Sequence, residues 1–150
     1  MKKIILLGLL LIVTGAVQAQ SKSERALRET RKTIEASNAV YADLANKNDG
    51  SILSRYTADA CLFPPNAAPV CGREKLAGFF KDGPQVHVKF TIQNLYGEGK
   101  DFITEESFYE MTDASGNKID DGKVIVVWKK TADGWKMYRD MFSSNRPAKN

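Results

Sequence analysis

The C-terminal segment 122–145 constrains the fold of this chain more than any other stretch. Residues 124–128 form an unbroken apolar run rich in β-branched side chains, and a second apolar group at 135–142 follows the turn at 131–134. The segment therefore predicts a β-hairpin. A strand that is apolar on both faces is normally covered on both faces, so we expect this hairpin in the middle of a sheet, with one side on the core and the other against a second layer or subunit.

Residues 1–19 predict a cleaved secretory signal. Two lysines precede the apolar run 4–13, and Val17-Gln18-Ala19 offers the small residues that a signal peptidase reads, with cleavage after Ala19. The run is shorter than the roughly 20 residues of a membrane span, and no cysteine follows the cleavage site to accept a lipid. We therefore expect one exported domain over residues 20–150, periplasmic or secreted into the medium, without membrane attachment after cleavage.

Charge gives no support for a nucleic-acid partner. The chain has 150 residues and a formal net charge of +4, and its basic residues are interleaved with acidic ones. A protein that tracks phosphates carries a basic stripe, and none is present in this sequence. No cofactor motif is present either, and a single histidine beside two cysteines does not make a metal site.

The two cysteines, Cys61 and Cys71, lie in the part of the chain predicted to be exported. Their spacing suits two residues that face each other across a short hairpin, where oxidising conditions permit a disulfide. The alternative is a pair of buried free thiols that act as small apolar residues. Both interpretations place a short hairpin between residues 60 and 71.

The remaining segments predict helices first and strands afterwards. A capping box at Ser21 and an apolar stripe at steps of three and four predict a long helix to about Asn46. Further patterns predict a short helix carrying Ile52, Leu53 and Tyr56, a strand at 60–63 returning at 70–71, a helix at 73–81, a one-faced strand at 86–92 with a bulge near Asn94, and a strand at 102–111. This order of elements is typical of an α+β domain.

The chain resembles the nuclear-transport-factor-2-like (NTF2-like) superfamily, which includes ketosteroid isomerases, SnoaL-like polyketide cyclases and many proteins of unknown function. Its likeness is closest to a branch of unknown function and covers nearly all of residues 20–150. The resemblance is carried by an ordered set of short motifs: Tyr56-Thr57-Ala58-Asp59-Ala60, Pro64-Pro65, Gly72-Arg73-Glu74 with Leu76 and Phe79-Phe80, Val126-Val127-Trp128, and Asp133-Gly134-Trp135-Lys136-Met137 with Asp140.

The resemblance implies a cone-shaped fold. A long N-terminal helix and two shorter helices would pack on a strongly bent mixed or antiparallel sheet that encloses an apolar pocket. It also implies a homodimer through the outer face of the sheet, in agreement with the doubly apolar run 124–128. Function is a separate matter, because the scaffold hosts isomerases, cyclases, dehydratases and pure binding modules.

The catalytic positions of a ketosteroid isomerase are only partly matched. Its general base corresponds to Pro64, which cannot move a proton, and its protonated aspartate corresponds to a position near Val126. Its helix tyrosine does have a counterpart, Tyr41. Among other polar residues, Asp140 lies between largely apolar neighbours, so an inward orientation would require a hydrogen-bonding partner or a raised pKa. A salt bridge to an arginine is the structural alternative for Asp140, and His87, Tyr138 and Asn145 are weaker candidates.

Two functional classes follow from these residues. The first is a secreted module that binds a small apolar or amphipathic molecule without transforming it. The second is an isomerase, cyclase or dehydratase with relocated acid-base residues, Tyr41 and Asp140. In both cases the predicted pocket residues are Tyr41, Phe63, Phe80, Phe90, Trp128 and Asp140.

Overall fold

A computed structural model of the protein describes residues 2–47, 49–81 and 84–147, with side chains described from Ser23 onward. The elements in chain order are helix α1 (Lys2–Lys47), a 3-10 helix (Ser51–Arg55), strands β1 (Tyr56–Phe63) and β2 (Val70–Cys71), helix α2 (Arg73–Lys81), and strands β3 (His87–Tyr96), β4 (Phe102–Thr112), β5 (Lys118–Thr131) and β6 (Gly134–Ser144). In the described part of the chain, no helix combines the length and the hydrophobicity needed to cross a membrane.

The strands form one open, mixed sheet of six strands in the order β2-β1-β6-β5-β4-β3. β1 and β6 run parallel, and the other neighbouring strands are antiparallel. α1 packs chiefly along β3, and α2 packs on β1 and β2. The predicted α+β fold, with a long helix and two shorter ones on a mixed sheet, is confirmed.

The predicted C-terminal hairpin is present as β5 and β6, and β5 lies between β6 and β4. Its turn closes on Gly134, whose φ of 98° is strained for any residue with a side chain. Val126 and Trp128 face the core and are at most 1% exposed. Their neighbour Ile125 points to the other face and is 49% exposed. The mid-sheet position is therefore confirmed, but a single chain covers only one face of the apolar run.

Helix α1 buries the predicted stripe, in which Thr30, Ile34 and Ser37 are at most 7% exposed. It differs from the prediction at its beginning, because the helix starts at Lys2 and passes through Ser21 without interruption. No proline occurs between these positions, so nothing in the sequence ends the helix there. The Ser21 capping box is therefore internal to α1 and does not mark a helix start.

The region between the two α-helices is more extended than predicted. Tyr56 opens β1 instead of belonging to the short helix, because parallel pairing with β6 begins at the register pair Tyr56–Met137. Cys61 and Cys71 are register partners across β1 and β2 and form a disulfide. The disulfide prediction is thus confirmed, and the free-thiol alternative is wrong. The predicted bulge in β3 is also present, as a register shift between Ile92 and Asn94.

Candidate functional site

An apolar cavity of about 540 Å³ lies between the inward face of the sheet and the helices. One wall comes from α1 and α2, the opposite wall comes from inward-facing residues of β3 to β6, and the cavity is open on one side. Strand alternation produces the sheet wall, since every second residue points inward. The described lining residues are Tyr41, Leu44, Ala45, Gly50, Ile52, Leu62, Gly78, Phe79, Phe80, Pro84, Val86, Val88, Phe90, Tyr109, Met111, Val124, Asp140 and Phe142.

The polar end of the cavity is formed by Asp140 and two tyrosines. The Tyr56 hydroxyl donates a hydrogen bond of 2.6 Å to Asp140 Oδ2. Tyr41 on α1 packs against Tyr56, with ring centroids 6.3 Å apart. Residues from α1, β1 and β6 therefore meet at this end, where the hydrogen bond between Tyr56 and Asp140 joins β1 to β6.

Burial raises the pKa of Asp140 and of both tyrosines and so favours their uncharged forms. Burial is the largest cause of the raised pKa of Asp140, which is about 6 instead of 3.8; the hydrogen bond from Tyr56 opposes this shift, and the charge of Glu105 adds to it. Burial followed by the charge of Asp140 raises the pKa of both Tyr41 and Tyr56 above the ordinary range of a phenol. Asp140 is thus the group at this site that changes charge near neutral pH.

A second carboxyl, Glu105 on β4, is fully buried, and its charge acts on Asp140. Asn38 Nδ2 donates to its Oε1 at 2.8 Å, Ser107 Oγ donates to the same oxygen at 2.5 Å, and Trp128 Nε1 donates to Oε2 at 2.8 Å. Three donors around one carboxyl offset the cost of burying it. This cluster connects α1, β4 and β5 beneath the cavity.

Arg55 provides a further polar contact between the 3-10 helix and α1. Its Nη2 donates to the Ser37 hydroxyl, which gives one of the buried hydroxyls of α1 a partner. Burial lowers the pKa of Arg55. Arg55 does not line the cavity, so its contact with Ser37 is structural.

The structure brings four of the six predicted pocket residues around the cavity, namely Tyr41, Phe80, Phe90 and Asp140. Phe63 does not line it, because alternation along β1 points Leu62 inward in its place. Trp128 faces inward but is fully buried, with its indole nitrogen bonded to Glu105 instead of facing the cavity.

The carboxyl that lines the cavity, Asp140, lies on β6. Its register partner on β5 is Val126, near which the resemblance places the aspartate of a ketosteroid isomerase. The hydrogen-bond partner of Asp140 is Tyr56, and no arginine is ion-paired with it among the described residues.

The weaker candidates lie elsewhere. His87 is exposed at the start of β3, Tyr138 stacks with Arg139, and Asn145 donates to Asp121. Within residues 2–47, 49–81 and 84–147, no cluster of three or more His, Cys, Asp or Glu residues could hold a metal ion.

Sequence reasoning missed the roles of Tyr56 and Glu105. The local pattern places Tyr56 in a short helix and therefore does not predict its inward orientation on β1. Glu105 lies in a strand that carries large apolar residues on both faces, Ile103 and Phe108 among them. Its pattern therefore does not say which face is buried, although an acid between apolar residues is a signal worth testing.

Comparison with known proteins identifies the fold. No protein-family model and no curated protein matches the chain. Among solved structures, an NTF2-like protein with a cystatin-like fold from Novosphingobium aromaticivorans gives a TM-score of 0.69 at 18% identity, over 81% of this chain and 86% of that chain.

Two further structures agree. A ketosteroid isomerase-like protein from Erwinia carotovora atroseptica gives a TM-score of 0.62 at 23% identity, covering 76% of this chain and 95% of that chain. An NTF2-like superfamily protein from Salmonella enterica gives 0.63 at 18% identity, covering 82% and 94%. The chain therefore has the cone-shaped NTF2-like fold, which confirms the predicted resemblance at the level of the fold.

Proposed function

We propose that this NTF2-like domain is an exported module that binds a small apolar or amphipathic molecule in its conical cavity without transforming it. The observation that carries the proposal is the cavity of about 540 Å³, which is lined by apolar side chains and has its polar groups concentrated at Asp140 and Tyr41. Ligand pockets are typically about 300–1,000 Å³ in volume, and their few polar groups fix the orientation of the ligand.

The proposal predicts a measurable contribution from the Tyr41 hydroxyl. Tyr41→Phe keeps the ring against Phe90 but removes one hydrogen-bonding group, so it should weaken binding by about 0.5 to 1.5 kcal/mol. The measurement is a thermal-shift screen of apolar and amphipathic compounds, followed by calorimetric titration of those that bind. Tyr96→Phe is the control, since Tyr96 is 54% exposed and lies outside the cavity. If no compound of a broad set binds the wild type, the proposal fails.

A second candidate function is an isomerase, cyclase or dehydratase of the ketosteroid-isomerase or SnoaL-like kind. Its support is the pKa of Asp140, which is raised to about 6 and suits a general base, and the similarity of the fold to a ketosteroid isomerase-like protein. Tyr41 would bind the carbonyl oxygen of the substrate. Asp140→Asn should then keep binding and slow turnover by roughly a hundred-fold or more.

We favour the binding module because the resemblance places the two acids of the isomerases at Pro64 and near Val126, and this sequence has no acid at residue 64 or anywhere from Gly122 to Lys130. Wild-type turnover of an enolisable ketone or polyketide-like substrate, abolished in Asp140→Asn, would reverse that choice. Thermal shifts without turnover would support it.

The export part of the proposal depends on residues 1–19. Their lysines and apolar run have the pattern of a signal peptide, and the Cys61–Cys71 disulfide is compatible with an oxidising compartment. N-terminal sequencing of the protein from the exported fraction should begin at Gln20. An intact Met1 in every cellular fraction would contradict export by this route.

A homodimer is the remaining part of the proposal. Phe108, Ile125 and Met141 project from the outer face of the sheet, at 52%, 49% and 53% exposure. An apolar patch on a central part of a sheet is a common site of subunit contact. A second copy of the chain would cover it.

A further inference from the structure

The polar end of the cavity offers hydrogen-bond acceptors. The Tyr56 hydroxyl proton is engaged with Asp140 Oδ2, so Tyr56 has no proton left for a ligand. What remains for a ligand is the second carboxyl oxygen of Asp140, Oδ1, which receives no hydrogen bond from any described residue, and the hydroxyl of Tyr41, whose oxygen can accept one.

The charges around the cavity favour a cation. Among the described residues that line it, Asp140 is the one acid, and lysine, arginine and histidine are absent. Glu105 adds a second buried carboxyl close enough for its charge to act on Asp140. Two acids and no lining base make an anionic head group unfavourable and a cationic one favourable in this low-dielectric site.

Aromatic rings surround the same end. Tyr41 packs against Phe90 with ring centroids 5.4 Å apart, and Phe80 packs against Tyr56 at 5.6 Å. Tyr41, Phe80 and Phe90 all line the cavity. The face of an aromatic ring attracts an ammonium group, and cages of such rings are a recurrent means of binding one.

From the acceptors, the charges and the rings, we propose that the cavity binds amphiphiles that carry an ammonium group, with the nitrogen at Asp140 and the apolar body against the sheet wall. The inference rests on the proposed binding function and names the class of ligand. Fatty carboxylates are disfavoured, and neutral isosteres bind more weakly because they form no ion pair.

Three matched probes test the inference: naphthalene-2-methylamine, naphthalene-2-methanol and 2-naphthoate. Their apolar bodies are the same, and their head groups are cationic, neutral and anionic. Calorimetric titration of the full chain at pH 7.5 should give an amine affinity at least about ten-fold above that of the alcohol, which corresponds to about 1.4 kcal/mol, and no measurable binding of the carboxylate.

Asp140→Asn should weaken amine binding about ten-fold and leave alcohol binding nearly unchanged. Asp59→Asn is the matched control, because it changes the net charge equally at an exposed residue that does not line the cavity. It should alter neither affinity.

A pH series on the wild type gives a second test that needs no variant. The titratable groups that face Asp140 are Tyr41 on α1, Tyr56 on β1 and Glu105 on β4, and its partner on β5 is the apolar Val126. Because the pKa of Asp140 is raised to about 6, amine binding should weaken between pH 7.5 and 5 as the carboxyl is protonated. Alcohol binding should not weaken.

The outcomes separate the inference from the function it depends on. Alcohol or carboxylate binding as tight as that of the amine, or amine binding unaffected by pH and by Asp140→Asn, overturns the amine class and leaves a binding module standing. No binding of any probe also overturns the inference, and the broad screen described above then decides whether the domain binds small molecules at all.

Discussion

Replacement of Asp140 by asparagine should stabilise the protein at neutral pH. Asp140 is 6% exposed, and its folded-state pKa of about 6 lies above the ordinary value of 3.8. The folded state therefore holds the proton more tightly than the unfolded state does. Asparagine has nearly the same shape, carries no charge at any pH, and can still accept the hydrogen bond from Tyr56 through its amide oxygen.

The size of the effect follows from linkage. The gap between 3.8 and about 6 corresponds to about 3 kcal/mol at 1.36 kcal/mol per pH unit. Below pH 3.8 Asp140 is protonated in both the folded and the unfolded state, so the cost of burying its charge does not lower the free energy of unfolding. As the pH rises from 3.8 through about 6, the unfolded state ionises first, so the wild type loses about 3 kcal/mol that the variant does not lose.

Urea unfolding followed by tryptophan fluorescence at several pH values measures this difference. Trp128 and Trp135 are at most 4% exposed and report on unfolding of the core. The difference in the free energy of unfolding between Asp140→Asn and the wild type should grow as the pH rises from 4 to 7. Asp113→Asn is the control: hydrogen bonds from Asn117 lower the pKa of Asp113, so its effect on the pH dependence lies below pH 4.

Two results would refute the reasoning. A variant that is less stable than the wild type at pH 7 would mean that ionised Asp140 is stabilising. A gap that stays constant from pH 4 to 7 would mean that Asp140 does not titrate in this range. The second result would also remove the reason to expect amine binding to weaken between pH 7.5 and 5.

Three further predictions concern the buried carboxyl of Glu105, the disulfide and the dimer. Glu105→Gln should cost about 2 to 3 kcal/mol, because an amide NH₂ would face one of the three donors around Glu105, whereas the exposed Glu106→Gln should change stability by less than about 0.5 kcal/mol in the same urea assay. Non-reducing mass spectrometry should find Cys61 and Cys71 in one linked peptide, and replacing both by serine should cost about 2 to 3 kcal/mol; two alkylatable thiols in native exported protein would contradict the pairing. Sedimentation should give about twice the chain mass at micromolar concentration, and Ile125→Lys on the exposed apolar face should give the single mass; a monomeric wild type would remove the dimer proposal.

Local sequence patterns determined the elements of this protein. The apolar run 124–128 and the Asp133-Gly134 turn predicted the central hairpin, because period and turn chemistry act between residues close in the chain. The stripe on α1 predicted its buried face for the same reason. The short hairpin predicted between Cys61 and Cys71, ten positions apart, made their pairing possible, and the structure decided between a disulfide and free thiols.

Tertiary structure decided the composition of the candidate site. Tyr56 and Asp140 are 84 residues apart, and their hydrogen bond exists because β1 pairs in parallel with β6, a choice that neither strand encodes by itself. On β4, Glu105 is buried and Phe108 is exposed, because only one face of the strand turns toward the core. Ile125 on β5 is exposed for the same reason. Strands that are apolar on both faces carry no local signal for that choice, so the assembled sheet alone determines that Glu105 is buried and that Asp140 lines the cavity.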